Sequence, residues 1–406
     1  SDENPRVVIR NGREFPVLAG HPWIFSNGVQ RADPCPAGGL VDVYSGAGGF
    51  LGVGTFHPGN TIRVRMLSRR RERPDDAFFA RRFAGLLAEK IPFLPPETDG
   101  FRLVHGDADR LPGLVVDMYA GTAVFQISTA GMEPYRQAIV DALRDPAGAV
   151  RAKAVVERSD VESRRQENLP PRPPEVHHGE VRDLVPFRER GLAMLADVLR
   201  GQKTGFFLDQ REARGEAGRL ARGRLAVNLF GYSCAFGLSA LAGGAESVLN
   251  VDSSGPALET GRRIFEANGF GDDPDSEFLE ADVFDFLEAE KESLRRRLAG
   301  GLLVCDPPAF AKSASRLDAA KTAYSRLARL CFEVLGPGGV LMTSSCSGAL
   351  SAEDFLDIIR VAAGRAGRRA RVLGFLGQPA DHTTLLPFPE GRYLKTFVLV
   401  VRSDDP

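Results

Sequence analysis

The second half of the chain alternates between short apolar segments and stretches with helical patterning. Four apolar segments of strand length stand out after residue 200, at 225–230, 247–252, 301–306 and 340–344. Short apolar runs that alternate with helices are typical of strand-helix-strand units, whose strands run parallel. Such a sheet is buried on both faces by the helices that connect its strands. We therefore predict an α/β fold, with a doubly wound, mostly parallel sheet in residues 191–406.

Two regions with different patterning precede this sheet. Residues 1–73 contain short alternating runs separated by glycine-rich turns, which predicts a small β barrel. Residues 74–190 mix strand-like runs with helical stretches and are predicted to form a small central α/β domain. The length of 406 residues is in the range of two or three domains. We therefore predict three domains, at 1–73, 74–190 and 191–406.

Composition narrows the class of protein. The net charge of −1 argues against a uniformly basic surface but permits local basic patches. One patch is predicted in residues 1–73, where ten arginines accompany six acidic residues. The arginines of the run 69–73 (RRRER) could contact nucleic-acid phosphates, and a solvated charged linker is the alternative interpretation of this run.

The cysteines and the apolar runs indicate the cellular compartment of the protein. The five cysteines show neither a CxxC pair nor zinc-like spacing, so we predict no metal site and free thiols in a reducing compartment. The sequence shows no signal-peptide pattern and no apolar run of membrane-spanning length. We therefore expect a cytoplasmic protein that has no membrane partner.

A cysteine and an aspartate follow two of the predicted strands. Cys346 lies in the segment 344–348 (SSCSG), and Asp306 lies in the segment 305–310 (CDPPAF). Open α/β sheets bind ligands at the carboxyl ends of their strands, and a thiol placed there can attack a bound substrate. A small buried apolar side chain is the alternative interpretation of Cys346. The serines and glycine around it favour a polar loop.

The first turn of the predicted sheet and two further strand ends are candidates for a cofactor site. The turn, residues 230–237 (FGYSCAFG), lacks the GxGxxG pattern of a pyrophosphate cradle. Asp252 ends the second strand, where a carboxylate can accept hydrogen bonds from ribose hydroxyls, and Asp282 ends the third and could bind an adenine amino group. Each aspartate alone could merely cap the following helix. Their occurrence at successive strand ends favours S-adenosylmethionine over a phosphate-rich dinucleotide.

Four motifs, spread over nearly the whole chain, carry a resemblance to a known family. They are 20–25 (GHPWIF), 111–117 (LPGLVVD), 201–211 (GQKTGFFLDQR) and 389–395 (PEGRYLK). In these motifs the sequence resembles the bacterial ribosomal large-subunit RNA cytosine-5 methyltransferases. That family joins an N-terminal PUA domain, a small central α/β domain and a C-terminal Rossmann-like methyltransferase domain. Its third motif precedes the methyltransferase sheet and helps to enclose the cofactor.

The resemblance implies an activity and a set of site residues. S-adenosylmethionine would be the cofactor, S-adenosylhomocysteine its product, and 5-methylcytosine in 23S ribosomal RNA the modified base. Ribosomal RNA would be the partner, and a homodimer is compatible with the sequence. Cys346 would be the nucleophile and Asp306 the second catalytic residue. The predicted cofactor-binding residues are Gln210, Arg211, Phe230, Tyr232, Ser233, Asp252, Ser253, Asp282, Val283 and Asp306. The predicted substrate-binding residues are Pro307, Pro308, Phe310 and Lys312.

The chemistry of cytosine explains the need for a thiol. Carbon 5 of cytosine is a poor nucleophile, but addition of a thiolate to carbon 6 creates an enamine-like centre that can attack a methyl group. Removal of the carbon 5 proton then expels the thiol. Asp306 is expected to hydrogen-bond the cytosine, where protonation of a ring nitrogen eases the addition. Cys305 is expected to pack in the core, because strand alternation turns it away from the side that presents Asp306.

The chain departs from this family at Cys234, and two alternative functions remain open. Family members carry Thr-Gly or Ser-Gly where this chain has Ser233 and Cys234, and a glycine lets the backbone approach a ligand closely. Because cysteine is small, we still expect cofactor binding. One alternative is exocyclic-amine methylation of RNA bases, which also uses Asp-Pro-Pro followed by an aromatic residue, although Ala309 displaces the aromatic here. The other is a non-catalytic RNA-binding protein whose cofactor loop Cys234 has spoiled.

Overall fold

The computed structural model describes residues 3–310 and 316–402, and its contacts divide the chain into two compact units. The first unit contains the chain up to Gly191, together with Leu195–Leu208 and Ala380–Gly391. The second unit contains Leu192–Met194, Asp209–Pro379 and the chain from Arg392 onwards. The division into three domains at residues 73 and 190 stays a prediction.

The first unit begins with a six-stranded sheet. Its strands are β1 (Arg6–Ile9), β2 (Trp23–Phe25), β3 (Val29–Ala32), β4 (Leu40–Tyr44), β5 (Phe50–Phe56) and β6 (Ile62–Ser68), and helix α1 (Phe15–Ala19) follows β1. The strand order is β2-β6-β5-β4-β1-β3, and β1 pairs with β4 in parallel while the other pairs are antiparallel. Alternate residues such as Val7 and Ile9 or Val41 and Val43 are buried in its core. The β-rich N-terminal region predicted from alternation is therefore confirmed.

The rest of the first unit is built on a five-stranded sheet. Its strands are β7 (Gly100–His105), β8 (Leu114–Tyr119), β9 (Thr122–Ile127), β10 (Ala154–Glu157) and β11 (Glu175–His178), in the order β11-β10-β9-β8-β7. Helices α2 (Asp76–Lys90), α3 (Arg136–Arg144) and α4 (Ser163–Gln166) accompany them, and β12 (Val185–Glu189) and β13 (Leu192–Ala196) form a separate pair. The Asp75 side chain accepts a hydrogen bond from Phe78 N and so begins α2, whose phenylalanines at 78, 79 and 83 are buried in the core.

The second unit contains the remaining strands and helices. Its strands are β14 (Leu225–Leu229), β15 (Ser247–Asp252), β16 (Ser276–Glu280), β17 (Leu302–Cys305), β18 (Val340–Ser345), β19 (Ala370–Leu376) and β20 (Lys395–Val401). Its helices are α5 (Arg211–Leu220), α6 (Ala235–Ala242), α7 (Gly255–Ala267), α8 (Val283–Ala289), α9 (Lys291–Arg297), α10 (Leu317–Val334) and α11 (Ala352–Arg365). The four strands predicted from the apolar segments are confirmed within one or two residues at their ends.

The seven strands of the second unit form one sheet in the order β16-β15-β14-β17-β18-β20-β19. The first five are parallel, and β20 runs antiparallel to both of its neighbours. One apolar cluster packs β14, β17 and β18 against α8, α10 and α11, and another packs the same strands against α5 and α6. The sheet is therefore doubly wound, and its strand order reverses between β14 and β17, where folds of this kind bind ligands.

The turn between β14 and α6 has an uncommon backbone. Phe230, Tyr232 and Cys234 have φ angles of 54°, 47° and 60°, a left-handed conformation that costs a residue with a side chain roughly 1 kcal/mol or more. The Cys234 side chain is fully buried and points at α7. A Cβ atom at Gly261 of α7 would lie only 2.5 Å from Cys234 Sγ. The absence of a side chain at position 261 therefore makes room for the cysteine, whose Sγ also lies 3.6 Å from Tyr232 O in the turn.

This contact predicts a coupling between positions 234 and 261. Gly261→Ala should lower the free energy of unfolding by about 1–3 kcal/mol through overpacking, although alanine is the better helix former. Adding Cys234→Gly should recover most of that loss. Urea unfolding of the single and double variants measures the effect. Gly364→Ala in α11 is the matched control and should not destabilise, because no atom lies within 4 Å of the added Cβ. Strictly additive changes at 234 and 261 would contradict the contact.

Candidate active site

All described site residues belong to the second unit, and a hydrogen bond joins two of them at the carboxyl edge of its sheet. Asp306 directly follows β17, and its Oδ1 accepts a hydrogen bond of 2.8 Å from Gln210 Nε2. Gln210 precedes α5 and is only 3% exposed. Its Oε1 is buried and has no hydrogen-bond partner within the described ranges. Because buried acceptors are rarely left unpaired, this oxygen is available for a ligand.

Asp209, the residue before Gln210, is hydrogen-bonded to the motif at 389–395. The Tyr393 hydroxyl donates to Asp209 Oδ2 at 2.8 Å, and Tyr393 N donates to Gln378 Oε1 at 3.1 Å. Arg211, predicted to contact the cofactor, begins α5 and is 1% exposed. The motifs at 201–211 and 389–395 thus meet at residues 209 and 393, which fixes the position of Gln210.

Asp252 holds the first turn against β15. Its Oδ2 accepts from Tyr232 N and its Oδ1 from Ser254 N, each at 2.8 Å, and Gly231 N donates to Val251 O at 2.9 Å. Each carboxylate oxygen keeps a second lone pair for a further donor. The predicted residues of this region differ in exposure, since Ser233 is buried and Ser253 is exposed. Asp252 is therefore both the anchor of the turn and a candidate acceptor for ribose hydroxyls.

Asp282 caps a helix, as the alternative interpretation proposed. Its Oδ1 accepts from Phe284 N at 2.8 Å and from Asp285 N at 3.1 Å, at the start of α8. Asp282 is exposed, whereas Val283 after it is buried. Capping explains the contacts of Asp282, and its role toward an adenine amino group stays a prediction.

Cys346 lies where the sequence places it, directly after β18, and it is half-buried. The serines on either side are buried and contact Tyr324 of α10: Ser345 Oγ donates to the Tyr324 hydroxyl, which also lies 3.0 Å from Ser347 Oγ. Burial raises the pKa of the Tyr324 hydroxyl, so this group stays neutral around pH 7. The polar loop expected around Cys346 is therefore present and anchored to α10.

A lysine that the sequence analysis did not select also contacts this loop. Lys395 begins β20 and is 5% exposed, and its Nζ donates to Ser347 O and Leu350 O, each at 2.6 Å. Burial lowers the pKa of the Lys395 ammonium to about 8. The sequence signal was the motif at 389–395, but only the pairing of β20 with β18 shows where the side chain lies.

Cys305 packs inside the protein, as expected. It is fully buried in the core beside Cys331. A hydrogen bond with Cys331, together with burial, raises the pKa of the Cys305 thiol well above its ordinary value. A thiol of this kind is inert because it is rarely deprotonated.

The predicted substrate residues lie between the turn and α10. Pro307 is buried and Pro308 exposed, while Phe310 is half-buried and contacts the Tyr324 ring edge-on, with centroids 4.8 Å apart. Phe284 lies 6.5 Å from both Phe310 and Phe230, so four aromatic rings follow one another along this edge. Lys312 lies outside the described residues.

The residues at this edge fit S-adenosylmethionine. Buried acceptors without partners within the described part of the chain include Gln210 Oε1 and Asn228 Oδ1. Asp252 adds lone pairs for ribose hydroxyls. The cofactor would supply an electrophilic methyl group bonded to a sulfonium.

The first unit has a polar cluster of its own. Potential metal-binding atoms of Glu157, Glu175 and His177 lie within 4.8 Å of one another. Arg136 Nε donates to both oxygens of Glu157, at 3.2 and 3.0 Å, and His177 Nε2 lies 2.9 Å from Glu157 Oε2. The Glu157 carboxylate therefore already has Arg136 and His177 as partners, and the absence of a metal site stays a prediction.

Comparison with known proteins agrees with this geometry. Residues 102–370 match the family described as S-adenosylmethionine-dependent methyltransferase, and residues 7–69 match the PUA-like domain. A solved structure, SMU.776, described as a putative methyltransferase complexed with SAH, has the same fold, with a TM-score of 0.82 and 23% identity. That match covers 98% of this chain and 100% of the other. The fold and the site thus define an S-adenosylmethionine-dependent methyltransferase.

Curated relatives narrow the class further. "Ribosomal RNA large subunit methyltransferase I" of Aeromonas salmonicida is 37% identical over 399 residues, which are 98% of this chain and 99% of the relative. The protein of the same name from Vibrio campbellii is 38% identical, over 97% and 99% of the two chains. This chain belongs to the ribosomal RNA large subunit methyltransferase I family. Within residues 3–310 and 316–402, no helix is long and apolar enough to cross a membrane.

The contacts of Asp252 predict its effect on the cofactor. Asp252→Ala should weaken S-adenosylmethionine binding about tenfold or more, because the loss of a buried hydrogen-bond partner costs on the order of 1–3 kcal/mol. Isothermal titration calorimetry measures the affinity. Asp357→Ala is the control, since this exposed carboxylate on α11 contacts only Arg360 of its own helix among the described residues. Unchanged affinity in a folded Asp252→Ala protein would remove Asp252 from the cofactor site.

Proposed function

We propose that this protein methylates carbon 5 of a cytosine in 23S ribosomal RNA through a covalent adduct on Cys346. The observation that carries the proposal is the position of Asp306 and Cys346 at the carboxyl ends of β17 and β18. These strands are parallel neighbours with Cys305 opposite Thr343, so Asp306 leaves β17 at the level of Ser344, and Cys346 lies two residues further along, directly after the neighbouring strand. A thiol and a carboxylate that follow adjacent strands at the carboxyl edge are the groups that the covalent route needs.

The side chains divide the chemistry between them. The thiolate of Cys346 adds to carbon 6 of cytosine, which makes carbon 5 nucleophilic toward the methyl donor. Asp306 binds the base on its hydrogen-bonding edge and is itself oriented by Gln210 Nε2. Pro307 and Pro308 limit the conformations of the loop that frames the base. Carbon 5 takes the methyl group, with S-adenosylhomocysteine as the other product. A general base then accepts the carbon 5 proton, the bond between carbon 6 and sulfur breaks, and Cys346 leaves as a thiolate, which restores the double bond of the ring.

The placement of Cys234 supports cofactor binding. Its side chain is buried against α7, and its Sγ lies 3.6 Å from Tyr232 O, so the folded turn accommodates the cysteine. Together with the membership of a methyltransferase family, this favours an enzyme over a non-catalytic RNA-binding protein. Amine methylation is left as the outcome that the experiment on Cys346 can reveal.

One chain supplies every described residue of the proposed site. Gln210, Asp252, Asp306 and Cys346 all lie in the second unit. The proposed mechanism uses these side chains and the cofactor, and the homodimer stays a prediction.

The first unit is proposed to bind RNA through its PUA-like domain. In the arginine run, Arg71 pairs with Asp42 and stacks on Phe50, and Arg69 donates to Leu18 O. Arg70 is exposed, and its side chain has no hydrogen bond or ion pair with any residue the structure describes. Arg70 is therefore the member of the run best placed to meet a phosphate.

Substitution of the nucleophile tests the covalent route. Cys346→Ala should abolish methyl transfer to ribosomal RNA while cofactor binding and folding stay intact, because carbon 5 is no longer activated. Cys305→Ala is the control and should keep activity where the core tolerates it. RNA with 5-fluorocytosine at the target lacks the proton needed for release, so it should trap an adduct on Cys346, visible by peptide mass spectrometry. Normal methylation by Cys346→Ala would overturn the cytosine-5 assignment in favour of amine methylation.

The salt dependence of RNA binding tests the role of Arg70. Arg70→Gln should reduce the slope of log affinity against log salt concentration by about 0.7–0.9, since one phosphate contact fewer releases fewer counterions. Fluorescence anisotropy with a ribosomal RNA fragment measures the slope. Arg144→Gln, which removes an exposed arginine paired with Asp141, should leave the slope unchanged. Equal slopes for wild type and Arg70→Gln would exclude this contact.

A further inference from the structure

The buried lysine at the start of β20 is not explained by packing alone. Lys395 pairs across the sheet with Ser345, the residue before Cys346. Lysine is almost never fully buried unless it is paired, because removing an ammonium from water is costly. The two carbonyl oxygens that accept from its Nζ, those of Ser347 and Leu350, belong to the loop that carries Cys346. The chain therefore places a desolvated positive charge beneath this loop.

The charge and the thiol affect each other. Burial lowers the pKa of the Lys395 ammonium, and the negative charge of the Cys346 thiolate acts in the opposite direction and raises it. Such coupling is reciprocal, so an ammonium that is favoured by the thiolate must favour the thiolate by the same free energy. In a buried environment with few water molecules, that interaction is screened less than at the surface.

We propose that Lys395 is a positioning residue whose ammonium group braces the loop 346–350 and stabilises the thiolate form of Cys346. The proposal rests on Cys346 being the attacking thiol, but its electrostatic part concerns the free protein. Among the described residues, the Tyr324 hydroxyl on α10, which burial keeps neutral, also lies at the Cys346 loop, and Asp306 follows the neighbouring strand β17. Lys395 is the positive group among these three.

Two variants separate the charge from the brace. Lys395→Met keeps most of the side-chain volume but removes both the charge and the donors, whereas Lys395→Gln keeps an amide donor without charge. Lys321→Met is the matched control, because this partly exposed lysine on α10 pairs with Asp354 of α11. Calorimetry with S-adenosylmethionine and thermal unfolding show that each variant is folded.

The rate of alkylation of Cys346 by iodoacetamide, followed against pH by peptide mass spectrometry, reports the thiolate directly. No RNA is required. Both Lys395 variants should shift the midpoint of this profile upward by about one unit or more, which slows alkylation at pH 7 about tenfold. The Lys321→Met profile should match that of the wild type. Unshifted midpoints in folded Lys395 variants would overturn the proposal, and a shift in Lys395→Met alone would reduce the role of Lys395 to bracing and overturn its electrostatic part.

A reciprocal measurement decides the case where both Lys395 variants fail to fold. The titration of the Lys395 amine, followed by nitrogen-15 NMR, should move to lower pH in Cys346→Ala than in the wild type, since the thiolate no longer favours the ammonium. An unmoved midpoint would overturn the proposal. Failure of the cytosine-5 assignment would instead appear as RNA methylation by Cys346→Ala, so the two failures can be told apart.

Discussion

The pairing of β14 with β17 is the constraint on which the site depends. Leu229 lies opposite Cys305, so the chain leaves both strands at the same level, into the first turn on one side and into Asp306 on the other. The helices that follow these strands pack on opposite faces, α6 in one apolar cluster and α10 in the other. The two connections therefore diverge and leave a crevice at the edge. A slip of one residue in this register would turn the side chains of one strand to the other face.

Most polar groups along this edge are already held before a ligand arrives. Asp252 accepts from Tyr232 N in the turn and from Ser254 N before α7, Gln210 orients Asp306, and the serines beside Cys346 are hydrogen-bonded to Tyr324. Side chains fixed in this way lose little conformational entropy when a ligand binds. Gln210 Oε1 and Asn228 Oδ1 are two buried acceptors without a partner among the described residues, so the free-energy cost of removing them from water is already included in folding. A ligand that donates hydrogen bonds to these two oxygens should therefore bind more tightly than one that has no donors.

Local patterning predicted the parts of the molecule that depend on neighbours in sequence. The four apolar segments became β14, β15, β17 and β18, because buried parallel strands are marked by short apolar runs between helices. The position of Cys346 at a strand end followed from the same pattern. Lys395 and Tyr324 could not be selected this way, since their contacts with the Cys346 loop arise from the pairing of β20 with β18 and from the packing of α10. The direction of the Cys234 side chain likewise depends on α7, which no local pattern describes.

The contact between Cys234 and Gly261 has a consequence for how such a turn can change. The left-handed backbone is unfavourable for each of Phe230, Tyr232 and Cys234, whatever α7 contains. The buried Cys234 side chain also needs space, and that space exists because α7 has a glycine at position 261. Substitutions at the two positions are therefore ordered: a chain with a larger residue at 261 must first lose it before position 234 can hold a cysteine. In the reverse order, a chain with both side chains would be overpacked between the turn and α7. The residue at position 261 of α7 therefore limits which residues can occupy position 234 of the turn.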